Sequence, residues 1–560
     1  MTEDPDYDED PEHGELGSLF ANPDPRWKHS FTFVSMVVTQ CDRAEATELG
    51  KGAKVVFVFS YGSITIESTM VIPLPPPLDA LQRRLLLYVG MNVLTWYWMG
   101  YATHSITVLP GAAWPPLSHE EIEYFEGLYN NVLAEFMFVN QLCGKIRILN
   151  GQADGISEEN KDTLAAKART TRGATTAASS SSPSDTVLIP LGGGKDSLVV
   201  WEMAFLENRP VAFLYVADGP YEFEGNSRLA ALMRECAATA AAGRTGSSVV
   251  WVARHSFRSS TFEHTKHSHT PVGHPWASLC YFDGLLLAEL TGVKECWLGF
   301  ESSADEGNGM VDKNGIAVNH QYDKSAPFMS LTTAFVARTY ANFARDELDV
   351  PPVVKSPLST VSELLIARRF ALSPSLRRVH GVFLSCNEPR HNKSGVKVED
   401  AQWEWHWCQR CEKCCFVFLL LCAWLPPVEV CAILGSDLFG DAAHHAVPET
   451  HSVQDVQAEA RRSNAERLRQ MFLSLVGSPG TVKPFECVGT TAESQCAALL
   501  ALRRWPVGEQ PEVLLEMAAV ARTCSEEPAE SSLRLELETE HWLQGASAEE
   551  LGLLQQFRVI

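Results

Sequence analysis

One strand-to-helix junction limits what this chain can fold into more than any other feature. In TVLIPLGGGKDSLVVWEMAF, residues 186–205, an apolar β-branched run from Val187 to Leu191 ends at Gly192, Gly193 and Gly194. Lys195, Asp196 and Ser197 follow, and a helix-like run begins. A short buried strand, a glycine turn and a helix form the opening unit of a parallel α/β sheet. The alternation continues downstream. Residues 210–219, 247–255 and 294–301 read as strands, and 196–207, 227–242 and 276–292 as helices. Such alternation implies a parallel sheet with helical crossovers, whose ligands bind at the carboxyl ends of the strands. The triple glycine lies at one of those ends.

Glycines let the backbone approach a ligand and take positive φ. The N–H groups and dipole of the following helix favour an anion there. Lys195 adds a mobile charge for phosphate oxygens, and Ser197 or Asp196 is suited to cap the helix. Asp196 would repel a bare phosphate, which points to Mg²⁺ between them. A Walker A loop is excluded: Ile189 stands where its first Gly belongs, and Asp196 where Ser or Thr must follow the lysine.

The rest of the chain frames this core. Residues 1–24 read as an acidic disordered tail, with eight Asp or Glu and no Lys or Arg in 1–20. Residues 25–150 read as an α+β N-terminal domain, with strands in FTFVSMVVTQ and AKVVFVFSYGSITIESTMVIP and helices at 81–101 and 119–147. An Ala/Ser/Thr-rich linker occupies 151–185. The α/β core that carries the glycine turn spans 186–330, a region with the cysteine cluster 331–445, and a mostly helical region 446–560. The net charge of −23 argues against nucleic acid as a partner. Residues 85–101 are apolar but short and polar-interrupted, so they read as a buried helix, with no membrane span. The acidic N-terminus reads as neither a signal nor a transit peptide, so the expected location is cytoplasmic.

Cys386, Cys408, Cys411 and Cys414 give C-x21-C-x2-C-x2-C among 15 cysteines. Closely spaced thiolates plus one distant thiolate can close a tetrahedron about structural Zn²⁺. An Fe–S cluster is the competitor, Cys415 and His406 are spare neighbours, and a cysteine-rich buried helix start is the metal-free reading.

The glycine loop resembles the PP-loop signature Ser-Gly-Gly-x-Asp-Ser of the ATP pyrophosphatases, with Gly192 in place of the first Ser. PLGGGKDSLV, NHQYDKS (319–325), SELLIARRF (362–370), FLSCN (383–387), CQRCEKCCFVF (408–418) and PFECVGT (484–490) occur in one order. Together they resemble the UDP-N-acetylmuramoyl-L-alanyl-L-glutamate epimerase family. The resemblance implies an isomerase that adenylates the terminal L-Glu carboxylate of UDP-MurNAc-L-Ala-L-Glu with ATP and Mg²⁺. It then inverts Cα and releases AMP and pyrophosphate, in peptidoglycan precursor synthesis. It implies an ATP site at Gly192, Gly193, Gly194, Lys195, Asp196 and Ser197. Asp218 joins that site by position alone, at the end of the second strand. Catalytic candidates are Lys195, Asp196, His320 and Lys324, and substrate-binding candidates are Glu301, Asn319, Gln321 and Ser325. Cys487, beside Glu486, reads as a structural cysteine, with acid–base work as its alternative. Two other functions stay open. One is a PP-loop ligase or nucleoside-modifying enzyme, by amidation or thiolation; a thiolating one would need Cys280 or Cys296 near the loop. The other is a PP-loop scaffold that binds ATP without turnover.

Overall fold

The structure is a computed structural model that describes residues 30–41, 52–72, 78–111, 114–151, 185–218, 228, 231–236, 249–256, 272–343, 350–386, 390–391, 405–442, 454–524, 540–557 and 559–560. The expected tail, and the expected linker except Gly151 and Asp185, lie outside the described residues.

Ten strands form one sheet. In chain order they are β1 (Phe31–Cys41), β2 (Gly52–Tyr61), β3 (Ile64–Ile72), β4 (Ser105–Val108), β5 (Arg147–Asn150), β6 (Val187–Pro190), β7 (Val211–Asp218), β8 (Val249–Ser256), β9 (Glu295–Trp297) and β10 (Val353–Lys355). Their order across the sheet is β10-β9-β6-β7-β8-β3-β2-β1-β4-β5. From β10 to β8 every pairing is parallel. The strands of residues 25–150 do not form a sheet of their own. β3 pairs antiparallel with β8 through Thr69–Val71 and Arg254–Ser256, so the two blocks share one sheet.

The parallel part is doubly wound. The chain runs β6, β7, β8 in one direction, then returns to place β9 and β10 on the other side of β6. The order therefore reverses between β6 and β9, and the crevice beyond the carboxyl ends of those two strands is the natural ligand site.

The helices cover both faces. α1 (Ala80–Tyr101), α2 (His119–Val132), α3 (Ala134–Val139), α5 (Trp276–Thr291) and α6 (Ala326–Phe343) pack one core. α4 (Lys195–Leu206), α7 (Glu363–Leu372), α8 (Glu412–Cys422), α9 (Gln454–Leu475), α10 (Thr491–Leu502) and α11 (Glu512–Cys524) pack the other. Alternate residues of β6 and β7 feed the two cores. Val187, Ile189, Val211 and Phe213 join the second, and Leu188, Ala212 and Leu214 the first. This is the period-2 pattern of a strand covered on both faces.

α1 holds the apolar stretch once weighed as a span. It is buried along most of its length, and among the described residues no helix is long and apolar enough to cross a membrane. The stretch 119–147, expected as one helix, breaks at Leu133 and ends at Val139. Gln141 and Gly144 take positive φ there, and the chain reverses into β5.

Candidate active site

β6 delivers its glycine loop to the crevice between β6 and β9. Gly193 takes φ +85°, a conformation that a side chain would strain. Gly194 is the N-cap of α4 and receives no side-chain cap. The expected capping by Ser197 or Asp196 does not occur: Ser197 Oγ instead donates to the Gly194 carbonyl at 3.0 Å. The loop following β9 lies against this turn. A Cβ on Gly299 would stand 3.2 Å from the Asp196 backbone and the Ser197 nitrogen.

A cleft of about 770 Å³ opens here, within the usual range for a ligand pocket. Gly192, Gly193, Gly194, Asp196, Ser197, His320 and Lys324 line it, whereas Lys195 and Glu301 are not among its lining residues. Asp218 ends β7, and its side chain is not among those described. Asn319, Gln321 and Ser325 do not line the cleft. They brace the loops around it. Asn319 Nδ2 donates to the Ala304 carbonyl at 2.8 Å, Gln321 Nε2 to the Val488 carbonyl at 2.9 Å, and Ser325 Oγ to the Tyr322 carbonyl at 2.6 Å.

Lys195 is turned inward rather than toward a phosphate. It is fully buried, with its ammonium 2.5 Å from Asp196 Oδ1 and paired with Glu363 of α7. Asp196, Glu301 and Glu363 bring carboxylate oxygens within 4.8 Å of one another, and the set could hold a metal ion. Lys324 Nζ lies 3.8 Å from Glu301, and Lys413 Nζ lies 3.9 Å from Glu363. Three carboxylates thus face three ammonium groups. Burial opposes ionisation of Asp196, but Lys195 and Lys413 hold its carboxyl below the ordinary range. Burial dominates at Glu301 and, with the charge of Asp196, raises it. Neither Glu301 oxygen accepts a hydrogen bond.

On another wall of the cleft stand Cys487 and Glu486. Cys487 is half-buried beside the cleft, not packed away as a structural cysteine. It shares that wall with His320, whose Nδ1 lies 2.6 Å from Glu135 Oε2 of α3. Burial works against the Cys487 thiolate, but Lys324 and His320 lower the thiol to about 6. Burial likewise opposes the His320 imidazolium, and Cys487 and Glu135 raise it to about 10. Burial pushes Glu486 up to about 7. Lys413 donates to the Cys487 carbonyl. Of the two thiols suggested for a thiolating enzyme, Cys280 reaches the cleft and Cys296 lies fully buried in the core. Burial pushes both up, so neither is a ready nucleophile.

The four cysteines converge. Sγ separations are 3.5 Å for Cys411–Cys414, 3.6 Å for Cys408–Cys414 and Cys386–Cys414, and 4.0 Å for Cys386–Cys411. Cys415 is a separate, fully buried residue, and the set that could hold a metal ion is the expected one. The Cys408 amide donates to Cys386 Sγ at 3.4 Å. The cluster abuts the glycine loop, since the Leu384 amide donates to the Gly193 carbonyl at 3.0 Å.

Sequence reasoning missed Glu135, Glu363 and Lys413. Glu363 and Lys413 lie inside motifs that were recognised, SELLIARRF and CEKC, so their position was a usable signal. Glu135 is the one charged residue of the short apolar helix AEFMFV, a buried carboxylate that the sequence reading passed over.

Residues 30–345 match the MurL N-terminal domain and residues 382–461 the MurL C-terminal domain. A UDP-N-acetyl-alpha-D-muramoyl-L-alanyl-L-glutamate epimerase from Xanthomonas oryzae pv. oryzae (strain MAFF 311018) is 30% identical over 321 residues, covering 56% of this chain and 57% of that protein. A protein of the same name from a Micromonospora strain is 30% identical over 210 residues, covering 38% of this chain and 37% of its own. One from Salinispora tropica is 28% identical over 247 residues, covering 44% and 43%. The chain spans about half the length, or less, of these curated relatives. The N-terminal match alone takes in more than half of the chain and contains the glycine loop, Glu301 and the 319–325 segment, and on that basis the chain belongs to the MurL family.

Proposed function

We propose that this chain is an ATP-dependent epimerase acting on the terminal L-Glu of UDP-MurNAc-L-Ala-L-Glu or a closely related glutamyl peptide. The observation that carries the reading is one cleft lined by a phosphate-suited glycine loop and by a charged thiol–imidazole pair. An α-proton beside a carboxylate resists removal because two negative charges would adjoin. Adenylation cancels one charge and makes the acyl group an electron sink. The cleft supplies what each stage needs. Backbone N–H groups at the start of α4 face the triphosphate. Lys324 and Lys413 offset charge on the phosphates and on the developing enolate. The Cys487 thiol, with His320 beside it, offers proton transfer near neutral pH.

Asp196, Glu301 and Glu363 fit Mg²⁺. They are hard oxygen ligands close together, and both Glu301 oxygens lack a donor. Mg²⁺ there would neutralise phosphate charge. The cysteine cluster fits Zn²⁺. A tetrahedron with Zn–S of about 2.3 Å has S–S edges of about 3.8 Å, and the observed separations run from 3.5 to 4.0 Å. An Fe–S cluster would hold its thiolates further apart, around several irons. With four thiolates the zinc has no open position, so its role is to fix the 384–414 segment against the glycine loop. On this reading the enzyme works in the cytoplasm, in peptidoglycan precursor synthesis.

The test uses the full chain with ATP, Mg²⁺ and UDP-MurNAc-L-Ala-L-Glu in deuterated water. AMP, pyrophosphate and D-Glu carrying deuterium at Cα are expected. AMP without deuterium would point to a ligase on another carboxylate, and absence of AMP would overturn the reading.

A further inference from the structure

We infer that Cys487 is the group that exchanges the substrate α-proton, held in its reactive form by a Glu135–His320 relay. The inference rests on the epimerase reading and adds the identity and protonation logic of its base.

The geometry brings three distant segments together. Glu135 comes from α3, His320 from the 319–325 turn and Cys487 from the loop ahead of α10. The imidazole Nδ1 lies 2.6 Å from Glu135 Oε2, and the ring shares the cleft wall with the Cys487 thiol. The His320 backbone is fixed as well, since its amide donates to Asn308 Oδ1 at 2.9 Å. Gly273 packs on the ring, where a Cβ would stand 2.9 Å from His320 Cε1. A ring held from several sides cannot swing away from the thiol. Cys487 and His320 both line the cleft that holds the glycine loop.

The charged groups around the thiol decide its state. Lys324 faces it from the 319–325 turn, and Lys413 reaches its carbonyl from α8. Glu486 is its chain neighbour, and Asp323 and Glu135 act on it only through His320. Cations dominate, so the thiolate–imidazolium form is the resting one at neutral pH. Without Glu135, a buried imidazolium would lose its counter-charge and the thiol would keep its proton.

The step balances as follows. The thiolate takes the proton from Cα of the activated glutamyl group. The C–H electron pair moves into the acyl carbonyl as an enolate beside the lysine ammonium groups. Water on the other face of Cα returns a proton, the hydroxide left behind takes one from solvent, and the Cys487 thiol releases its own to solvent, which restores the thiolate. Nothing is oxidised or reduced. Lys324, given a catalytic role from sequence, here stabilises charge, and His320 and Glu135 are positioning residues.

Full-length Cys487→Ala and Cys487→Ser are compared with the parent in two assays. One is substrate-dependent ATP–pyrophosphate exchange, which reads adenylation and folding. The other is deuterium uptake at Cα. A general base contributes about 10²–10⁴-fold. Deuterium uptake should fall by about that factor while pyrophosphate exchange stays within about threefold. A Cys487→Ala protein that takes up deuterium at more than about a tenth of the parental rate would overturn the assignment. In the parent, deuterium uptake should rise with pH through about 6. Glu135→Gln should move that limb upward by roughly one pH unit, and an unmoved limb would remove the relay. If the parent itself exchanges no pyrophosphate, the epimerase reading fails instead, which keeps the two failures apart.

Discussion

Replacing Lys195 separates the two accounts of this residue. A lysine that reaches out to phosphate would be dispensable for folding, so Lys195→Met would abolish activity and leave stability alone. The structure requires the opposite. The ammonium is fully buried and pairs with Asp196 and Glu363, and its charge, with that of Lys413, keeps Asp196 ionised against burial. Methionine fills similar space but leaves buried carboxylates with one cation fewer. Breaking a buried pair costs about 3–5 kcal/mol.

Proton uptake sets a ceiling on that cost. Asp196 can take a proton instead of standing as an uncompensated charge, at about 1.4 kcal/mol for each pH unit above its unfolded value near 3.9. The ceiling is therefore about 4 kcal/mol at pH 7 and about 1.5 kcal/mol at pH 5. The sign follows from linkage. In the parent the depressed Asp196 pKa contributes stability above the unfolded value, and this is lost as pH falls through the folded value. In the variant the pKa is raised, so the folded state binds the extra proton and stability falls as pH rises. Urea denaturation at pH 5, 6, 7 and 8 measures both. The difference between Lys195→Met and the parent should widen by roughly 1.4 kcal/mol per pH unit. Adding Asp196→Asn should restore most of the loss, because it removes the orphaned charge. A Lys195→Met protein as stable as its parent at pH 8 would show that the ammonium is not buried, and the phosphate role would return.

Two further predictions test neighbouring groups. Cys408→Ser should abolish the metal content that the cluster assignment requires of the parent, read by a colorimetric chelator and elemental analysis. It should also weaken ATP binding by about tenfold or more, because the Leu384–Gly193 hydrogen bond ties the cluster to the glycine loop; unchanged metal content would sink the cluster assignment. Glu301→Gln should raise the melting temperature at pH 8 and not at pH 4, because burial and Asp196 raise its carboxyl, so its charged form is destabilising above its unfolded pKa. The same change should raise the Mg²⁺ concentration needed for half-maximal activity, and an unaltered Mg²⁺ requirement would take Glu301 out of the cation site.

The glycine loop was legible because its determinants are contiguous: a β-branched run, three glycines and a helix start. The cysteine cluster was legible because three of its ligands sit at fixed short spacing. What stayed hidden depends on segments far apart in the chain. The direction of Lys195 is decided by Glu363, 168 residues away, and the state of His320 by Glu135, 185 residues away. Ser197 has a capping residue's chemistry, yet it turns to the Gly194 carbonyl. The joining of the N-terminal strands to the core rests on three residue pairs between β3 and β8, too short a signal to read from periodicity.

Lys413 shows why the metal cluster and the chemistry cannot be treated as separate parts. It lies between two of the cysteine ligands, at the start of α8, and its ammonium reaches both the Cys487 carbonyl and the Glu363 carboxylate. The ion that would fix Cys411 and Cys414 therefore also fixes the position of a charge shared by the thiol loop and the carboxylate set. From the other side, Leu384 binds Gly193 just before the ligand Cys386. One small cluster thus has a hold on both ends of the cleft, the glycine turn and the loop of Cys487. On the proposed function, a site with no open coordination position would still set the distance between the adenylation and proton-transfer ends.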